Sequence, residues 1–189
     1  MPAPIKVELM PHSSGWELTA KTESVRLLEA LEGNIIAVHH IGSTAIPDIH
    51  AKPIVDLMPV VRSVRRLDEQ EPFLQQLGYR YWGEYGIPGR RYCTLDEPSN
   101  GKRRIQLHCF ESESGEIERH LAFRDYLRAN SMKAQEYDQE KRRCRDLHPD
   151  DSHAYSDAKA DWIAAHLPSA LAYYRSPGGA SRSKYGQSE

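Results

Sequence analysis

The stretch from His39 to Met58 constrains this chain most. A hydrophobic run, Ile35-Ile36-Ala37-Val38, ends in His39-His40 and the turn Gly42-Ser43. Twelve residues separate Ser43 from Asp56, which stands inside a second apolar run, Ile54 to Val61. A carboxylate in such a run needs a partner, because burying it unpaired costs several kcal/mol or forces it to protonate. Pro47 and Pro53 exclude a long helix between the runs, so residues 44–52 read as a loop or a single turn. Residues 54–61 are apolar on both faces, which predicts a central strand covered on both sides.

Ser14-Gly15-Trp16-Glu17 fits a capping box, and Val25, Leu28 and Leu31 follow at helical spacing up to a stop at Gly33. Asn34 to His40 predicts a strand, and Ser63 to Leu77 a helix whose second part starts at or kinks on Pro72. Tyr79-Arg80-Tyr81-Trp82 is a third strand. Arg90–Leu95 and Arg104–Phe110 predict a hairpin joined by Pro98-Ser99-Asn100-Gly101, since Asn-Gly is a strong turn signal. In its second arm Ile105, Leu107 and Cys109 share one face, and Gln106, His108 and Phe110 the other. Helices are expected over 116–129, from Asn130 or Ser131 to Leu147, and after Pro149-Asp150-Asp151-Ser152 to His166 or Leu167. The class is α+β, a mixed sheet of about five strands with flanking helices and a C-terminal helical segment.

With 189 residues the chain suits one domain, taken as 1–174. Residues 175–189 are rich in Ser, Gly, Lys and Arg and predict a disordered tail. A net charge of -2 argues against a nucleic-acid partner held by bulk positive charge. No apolar run reaches the roughly 18 residues that span a bilayer, so no membrane partner is expected. Three cysteines, Cys93, Cys109 and Cys144, lack metal-type spacing and read as reduced thiols of a cytoplasmic protein.

Gly-Ser after a strand can serve phosphate, the glycine letting backbone N–H groups approach and the hydroxyl adding a donor; taken alone, so common a dipeptide is better explained by a plain turn. His40-Ile41-Gly42-Ser43-Thr44, followed by Ala51-Lys52-Pro53-Ile54-Val55-Asp56, strongly resembles the GrpB-like family of uncharacterised nucleotidyltransferase-superfamily proteins. Trp16, Leu107-His108, Phe123-Arg124-Asp125-Tyr126-Leu127-Arg128, Tyr137 with Lys141 and Tyr155 with Lys159 extend the likeness over roughly residues 6–167. The resemblance implies a nucleotidyltransferase-like fold, with Gly42, Ser43 and Thr44 at a triphosphate and Asp56 at a metal. Some relatives are joined to dephospho-coenzyme A kinase, which implies nucleotide or coenzyme metabolism.

The chain departs from the active members of that superfamily. They carry two carboxylates at alternate positions of this strand, where this chain has Asp56 and Met58; a third position is taken by His108. Two-metal chemistry needs enough oxygen ligands to hold ions ~3.5–4 Å apart, and a thioether and an imidazole do not supply them. What is left is a one-metal site of Asp56 and His108 for a divalent ion such as Mg²⁺ or Mn²⁺, with Glu84 or a histidine as a further ligand. His39 and His40 point to opposite faces, so one of them at most joins the site, and His40 lies nearer the turn. A hydrogen-bonded structural role fits His40 and His108 as well.

Lys52 can balance Asp56 or bind phosphate as a point charge. Arg90 and Arg91, after Pro88-Gly89, either reach a phosphate from the hairpin or are solvated turn residues. Tyr137, Lys141 and Cys144 share a helix face, as do Tyr155, Lys159, Trp162 and His166. Their lysines, with Arg124, either line the far side of a cleft opposite Gly42-Ser43 or are paired structural charges. Two functions follow. One is a nucleotide or phosphorylated small-molecule binder that transfers nucleotidyl or phosphoryl groups with one metal. The other is a catalytically inactive nucleotide-binding or regulatory module, which Met58 favours.

Overall fold

A computed structural model describes residues 3–177. Helix α1 (Gly15–Ala30) leads into strand β1 (Ile35–Ile41), and a single 3₁₀ turn, Ser43–Ala45, precedes β2 (Val55–Val61). Short helices α2 (Val64–Glu69) and α3 (Glu71–Gln76) come next, with Pro72 in the first turn of α3. Strands β3 (Arg80–Tyr81), β4 (Arg91–Asp96) and β5 (Arg103–Glu111) complete a mixed sheet in the order β1-β2-β5-β4-β3. Helices α4 (Gly115–Ala129), α5 (Ser131–Leu147), α6 (Ser152–Ala158) and α7 (Ala160–Arg175) end the described chain. The class is α+β, as the alternation of apolar runs predicts. Among the described residues no helix is long and apolar enough to cross a membrane.

Within the span 1–174 the described residues form two compact units. A sheet unit takes Ser13–Ala45 and Ile54–Ile117; a helical unit takes the residues up to His12, Ile46–Pro53 and those from Glu118 onward.

In the sheet unit β2 is central, antiparallel to β1 and parallel to β5. Its pairing with β5 runs from Val55↔Ile105 to Leu57↔Leu107 and resumes at Val60↔Phe110. The interruption falls at Pro59, which has no N–H to give the ladder. On one face Val55, Leu57 and Val61 pack with Ile105, Leu107 and Cys109 against Leu27, Leu31, Leu67 and Leu74. Alternation puts Asp56, Met58, His108 and Phe110 on the opposite face.

Two details of α1 differ from expectation. Ser14 is itself in a helical conformation and makes no capping bond, and Glu17 pairs with Lys21 at 3.3 Å instead. The buried stripe is Ala20, Glu23, Leu27 and Leu31, whereas Val25 and Leu28 face solvent. Glu23 disguises that stripe in the sequence. Its carboxylate is buried because Tyr79 donates its hydroxyl at 3.0 Å and Arg26 a guanidinium N–H at 2.8 Å.

In the helical unit Ile46 and Ile49 pack with Leu127, Ala134 and Tyr137. Asn130 caps α5 by accepting from the Lys133 N–H, and Asp151 caps α6 by accepting from His153 and Ala154. The expected last helix is in fact two, broken at Lys159, and it does not end at His166 or Leu167. α7 runs through Pro168 to Arg175, because burial of Ala170 and Tyr174 outweighs the one hydrogen bond a proline removes. Arg175, placed in the expected tail, is helical and holds Glu118 through two bonds of 2.7 and 2.8 Å. The remainder of that tail, 178–189, lies outside the described residues.

The face of α1 is open to a direct check. Leu27→Ala is expected to cost about 2–5 kcal/mol in urea denaturation, and Leu28→Ala about 0.5 kcal/mol or less. Equal losses would place the buried stripe elsewhere.

Candidate functional site

β1 is followed by Gly42, whose φ of +70° is a left-handed conformation that glycine adopts without a Cβ penalty. The antiparallel pairing sets Ile41 opposite Asp56, so the turn passes directly over the carboxylate. A Cβ on Gly42 would stand 2.3 Å from Asp56 Oδ2. Ser43 is half-buried at the start of the 3₁₀ turn, and the Ala45 N–H closes that turn on the Gly42 carbonyl at 3.2 Å. Thr44 is buried, with its hydroxyl 2.9 Å from His40 Nε2. His40 thereby props the turn. Met58, two residues beyond Asp56, is fully buried.

On β5, Gln106 lies opposite Asp56 and His108 follows two residues on. His108 Nε2 comes within 3.4 Å of Asp56 Oδ1, so the two site residues read from sequence do meet. Their neighbour is the first of the two arginines that follow Pro88-Gly89. Arg90 is buried and brings Nη1 to 3.3 Å from His108 Nδ1. Its other donors reach the carbonyls of Glu84, at 3.2 Å, and Tyr85. The guanidinium lies 4.9 Å from the centre of the Tyr92 ring, which stacks on Tyr85 and meets His108 edge-on. Burial draws Arg90 below the usual arginine range, with Tyr92 and Tyr85 opposing it. Burial, and after it the Asp56 charge, pushes the Tyr92 hydroxyl well above the usual tyrosine range.

Arg91 is not part of this group. It lies opposite Cys109, on the other face of the sheet from His108, and bonds Asp68 at 2.6 and 2.9 Å. Those bonds hold the Asp68 carboxyl below the usual carboxylate range. Glu84 is also engaged elsewhere, accepting the Gly89 N–H at 2.7 Å and facing Arg91 at 3.8 Å. After Pro88-Gly89 the two arginines look equivalent in sequence; only the β4–β5 register distinguishes them.

The residues do not fit the expected one-metal centre. Among the described residues no group of three or more His, Cys, Asp and Glu side chains could hold a metal ion. Arg90 can only donate, so His108 accepts at Nδ1 and carries its proton on Nε2, toward Asp56. In that tautomer neither ring nitrogen offers a lone pair to a metal, and the adjacent guanidinium adds a charge of the wrong sign.

The other expected site residues belong to the helical unit. Lys141 is fully buried; its ammonium donates to the His50 carbonyl and lies 3.7 Å from Asp138 Oδ1. Asp138 also accepts the His50 N–H at 2.7 Å and two bonds from Arg142 at 3.0 and 3.1 Å. Lys141 Nζ is 5.2 Å from the centre of the Tyr137 ring. Lys52 and Lys159 bring their ammonium groups to 5.4 and 4.9 Å from the centre of the Tyr155 ring. Arg124 bonds Asp125 at 2.7 Å. Burial lowers Lys141 to about 7, with Asp138 opposing and the Lys159 charge adding to the fall.

Comparison with known proteins agrees with this architecture. Residues 6–169 match the family model described as GrpB protein. The protein YqkA of Bacillus subtilis is 40% identical over 158 residues, which make up 84% of this chain and 45% of YqkA. This chain therefore spans less than half the length of that relative. The glutamate-rich protein GrpB of Alkalihalophilus pseudofirmus is 30% identical, covering 84% of this chain and 92% of its own. The crystal structure of GrpB from Enterococcus faecalis superposes with a TM-score of 0.83 at 34% identity, over 89% of this chain and all of that one.

Two outcomes follow from the geometry. Gly42→Ala is expected to lose about 1–2 kcal/mol for the left-handed backbone, and more for the approach to Asp56. Adding Asp56→Gly should recover only the excess, as urea denaturation of all four proteins would read; strict additivity would mean the turn does not rest on that carboxylate. Lys141 titrates near 7 when folded and at about 10.4 when unfolded. Between these values the unfolded chain binds more protons, so this residue makes stability rise as pH increases from about 7 to about 10. Lys141→Met is expected to remove that part of the slope.

Proposed function

The chain belongs to the GrpB family, and from that premise we propose that it binds a nucleotide or another phosphorylated small molecule without a catalytic metal. The observation that carries this reading is the line Asp56–His108–Arg90 beneath the Gly42-Ser43 turn, with steps of 3.4 and 3.3 Å. A carboxylate so close to the turn repels a phosphate there unless a cation balances it. In two-metal enzymes the ions supply that balance. Here a buried arginine supplies it through the imidazole, while Gly42 permits close backbone approach and Ser43 offers a hydroxyl. The chain's residues then bind and orient a ligand; nothing in the arrangement supplies the paired ions that drive nucleotidyl transfer.

Thermal unfolding with ATP, GTP, CTP, UTP and phosphorylated coenzyme A precursors tests the proposal, each in EDTA and with Mg²⁺ or Mn²⁺. Stabilisation in EDTA is expected for at least one of them, about 2.7 kcal/mol at a hundredfold excess over Kd, and it should fall in Arg90→Met. Stabilisation that needs a divalent ion and disappears in Asp56→Ala would favour the one-metal transferase instead. No response to any phosphorylated compound would overturn both.

A further inference from the structure

We propose that the outer face of α1 is an interface between two copies of this chain, paired antiparallel along that helix. The face lies within the sheet unit and uses no residue of the Asp56 site. At 100° per residue, Leu18, Val25 and Leu28 fall within about 80° of one another around the helix. They point away from the buried stripe of Ala20, Glu23 and Leu27, and their exposures are 68, 54 and 38%. Single exposed apolar residues are ordinary, whereas a row of three along one helix makes a continuous strip. Apolar strips rimmed by polar groups mark contacts between proteins. The rim here is Lys21, Thr22 and Glu29, all exposed.

The charges on this face select the occupant. The last turn of α1 carries Glu29 and no basic residue, so a carboxylate stands at the negative end of the helix dipole, where a cation is favoured. Among the described residues Glu29 makes no ion pair. The cation it lacks is on the same strip, two turns earlier, at Lys21. One helix cannot bring the two together, but an antiparallel second copy does. A two-fold axis at the level of residue 23 sets Leu18 against Leu28 of the second copy and Lys21 against its Val25. The lysine stem then covers the valine, and its ammonium reaches Glu29 of the second copy one turn further on. Symmetry repeats each contact, so the pattern is self-complementary. A parallel pair would instead place Lys21 beside Lys21 and Glu29 beside Glu29, and would align the two dipoles unfavourably. Lys21 at present holds Glu17 at 3.3 Å, with both side chains more than two-thirds exposed. Such a surface pair is worth little, so exchanging it for Glu29 of a second copy costs little.

One helix pair is a small interface, which predicts association in the micromolar range rather than a permanent dimer. Sedimentation velocity of the full chain from about 5 µM to about 500 µM reads it. The expected result is a reversible shift from one chain to two. Val25→Glu should weaken the association about tenfold or more, because two like charges then meet near the axis. Lys21→Glu and Glu29→Lys should each weaken it about tenfold, since every change acts twice in a two-fold interface. The two combined should recover most of the loss. These positions are exposed, and urea denaturation checks that each variant stays folded. Phe73→Glu, at an exposed apolar residue of α3, is the control and should change nothing. A single chain at every concentration would overturn the proposal. So would association that survives Val25→Glu, that Phe73→Glu weakens as much, or that the double charge exchange fails to restore.

Discussion

Asp56 sits on a central strand with its carboxylate under the backbone of Gly42, and the sheet unit is arranged around keeping that charge acceptable. The antiparallel pairing of β1 with β2 brings the turn over it, and only a glycine leaves room. β5, parallel to β2, presents His108 to one carboxylate oxygen. The loop before β4 curls so that Glu84 and Tyr85 offer their carbonyls to Arg90, and the tyrosine pair covers the guanidinium. A buried charge persists where hydrogen-bonding partners meet it, and Arg90, the buried end of this line, has three of them in the Glu84 and Tyr85 carbonyls and His108.

The helical unit also gathers cations around a carboxylate. Asp138 is the anion on the buried face of α5, and Lys141, Arg142 and His50 collect around it. The gain is positional: both polar groups of the His50 peptide are satisfied by one helix, and the segment that carries Lys52 is tied down. The cost is a buried ammonium that titrates near 7.

Much of the architecture is legible in the residues. The hairpin announces itself by Asn100-Gly101, the central strand by an apolar run that does not alternate, and the break in the second helix by Pro72. The face of α1 is not legible, because Glu23 occupies a core position that only Tyr79 and Arg26 make tolerable. Nor is the continuation of α7 through Pro168, since local propensity opposes it and burial decides it. At the site, the meeting of Asp56 with His108 follows from strand order and alternation. The roles of Arg90 and Arg91 do not, because a one-residue difference in register exchanges the two faces of a strand.

The sequence by itself determined the family, the α+β class, the pairing of a glycine turn with an aspartate, and the absence of a second carboxylate at Met58. These are properties of residue identity and spacing along one chain. Only the tertiary structure decided what replaces the missing charge. Arg90 lies eighteen residues before His108, and His50 lies 88 residues before Asp138. Such partners meet only when the sheet register is set and the loops are closed, and electrostatic energy depends on distance in space and on burial, neither of which is written along the chain.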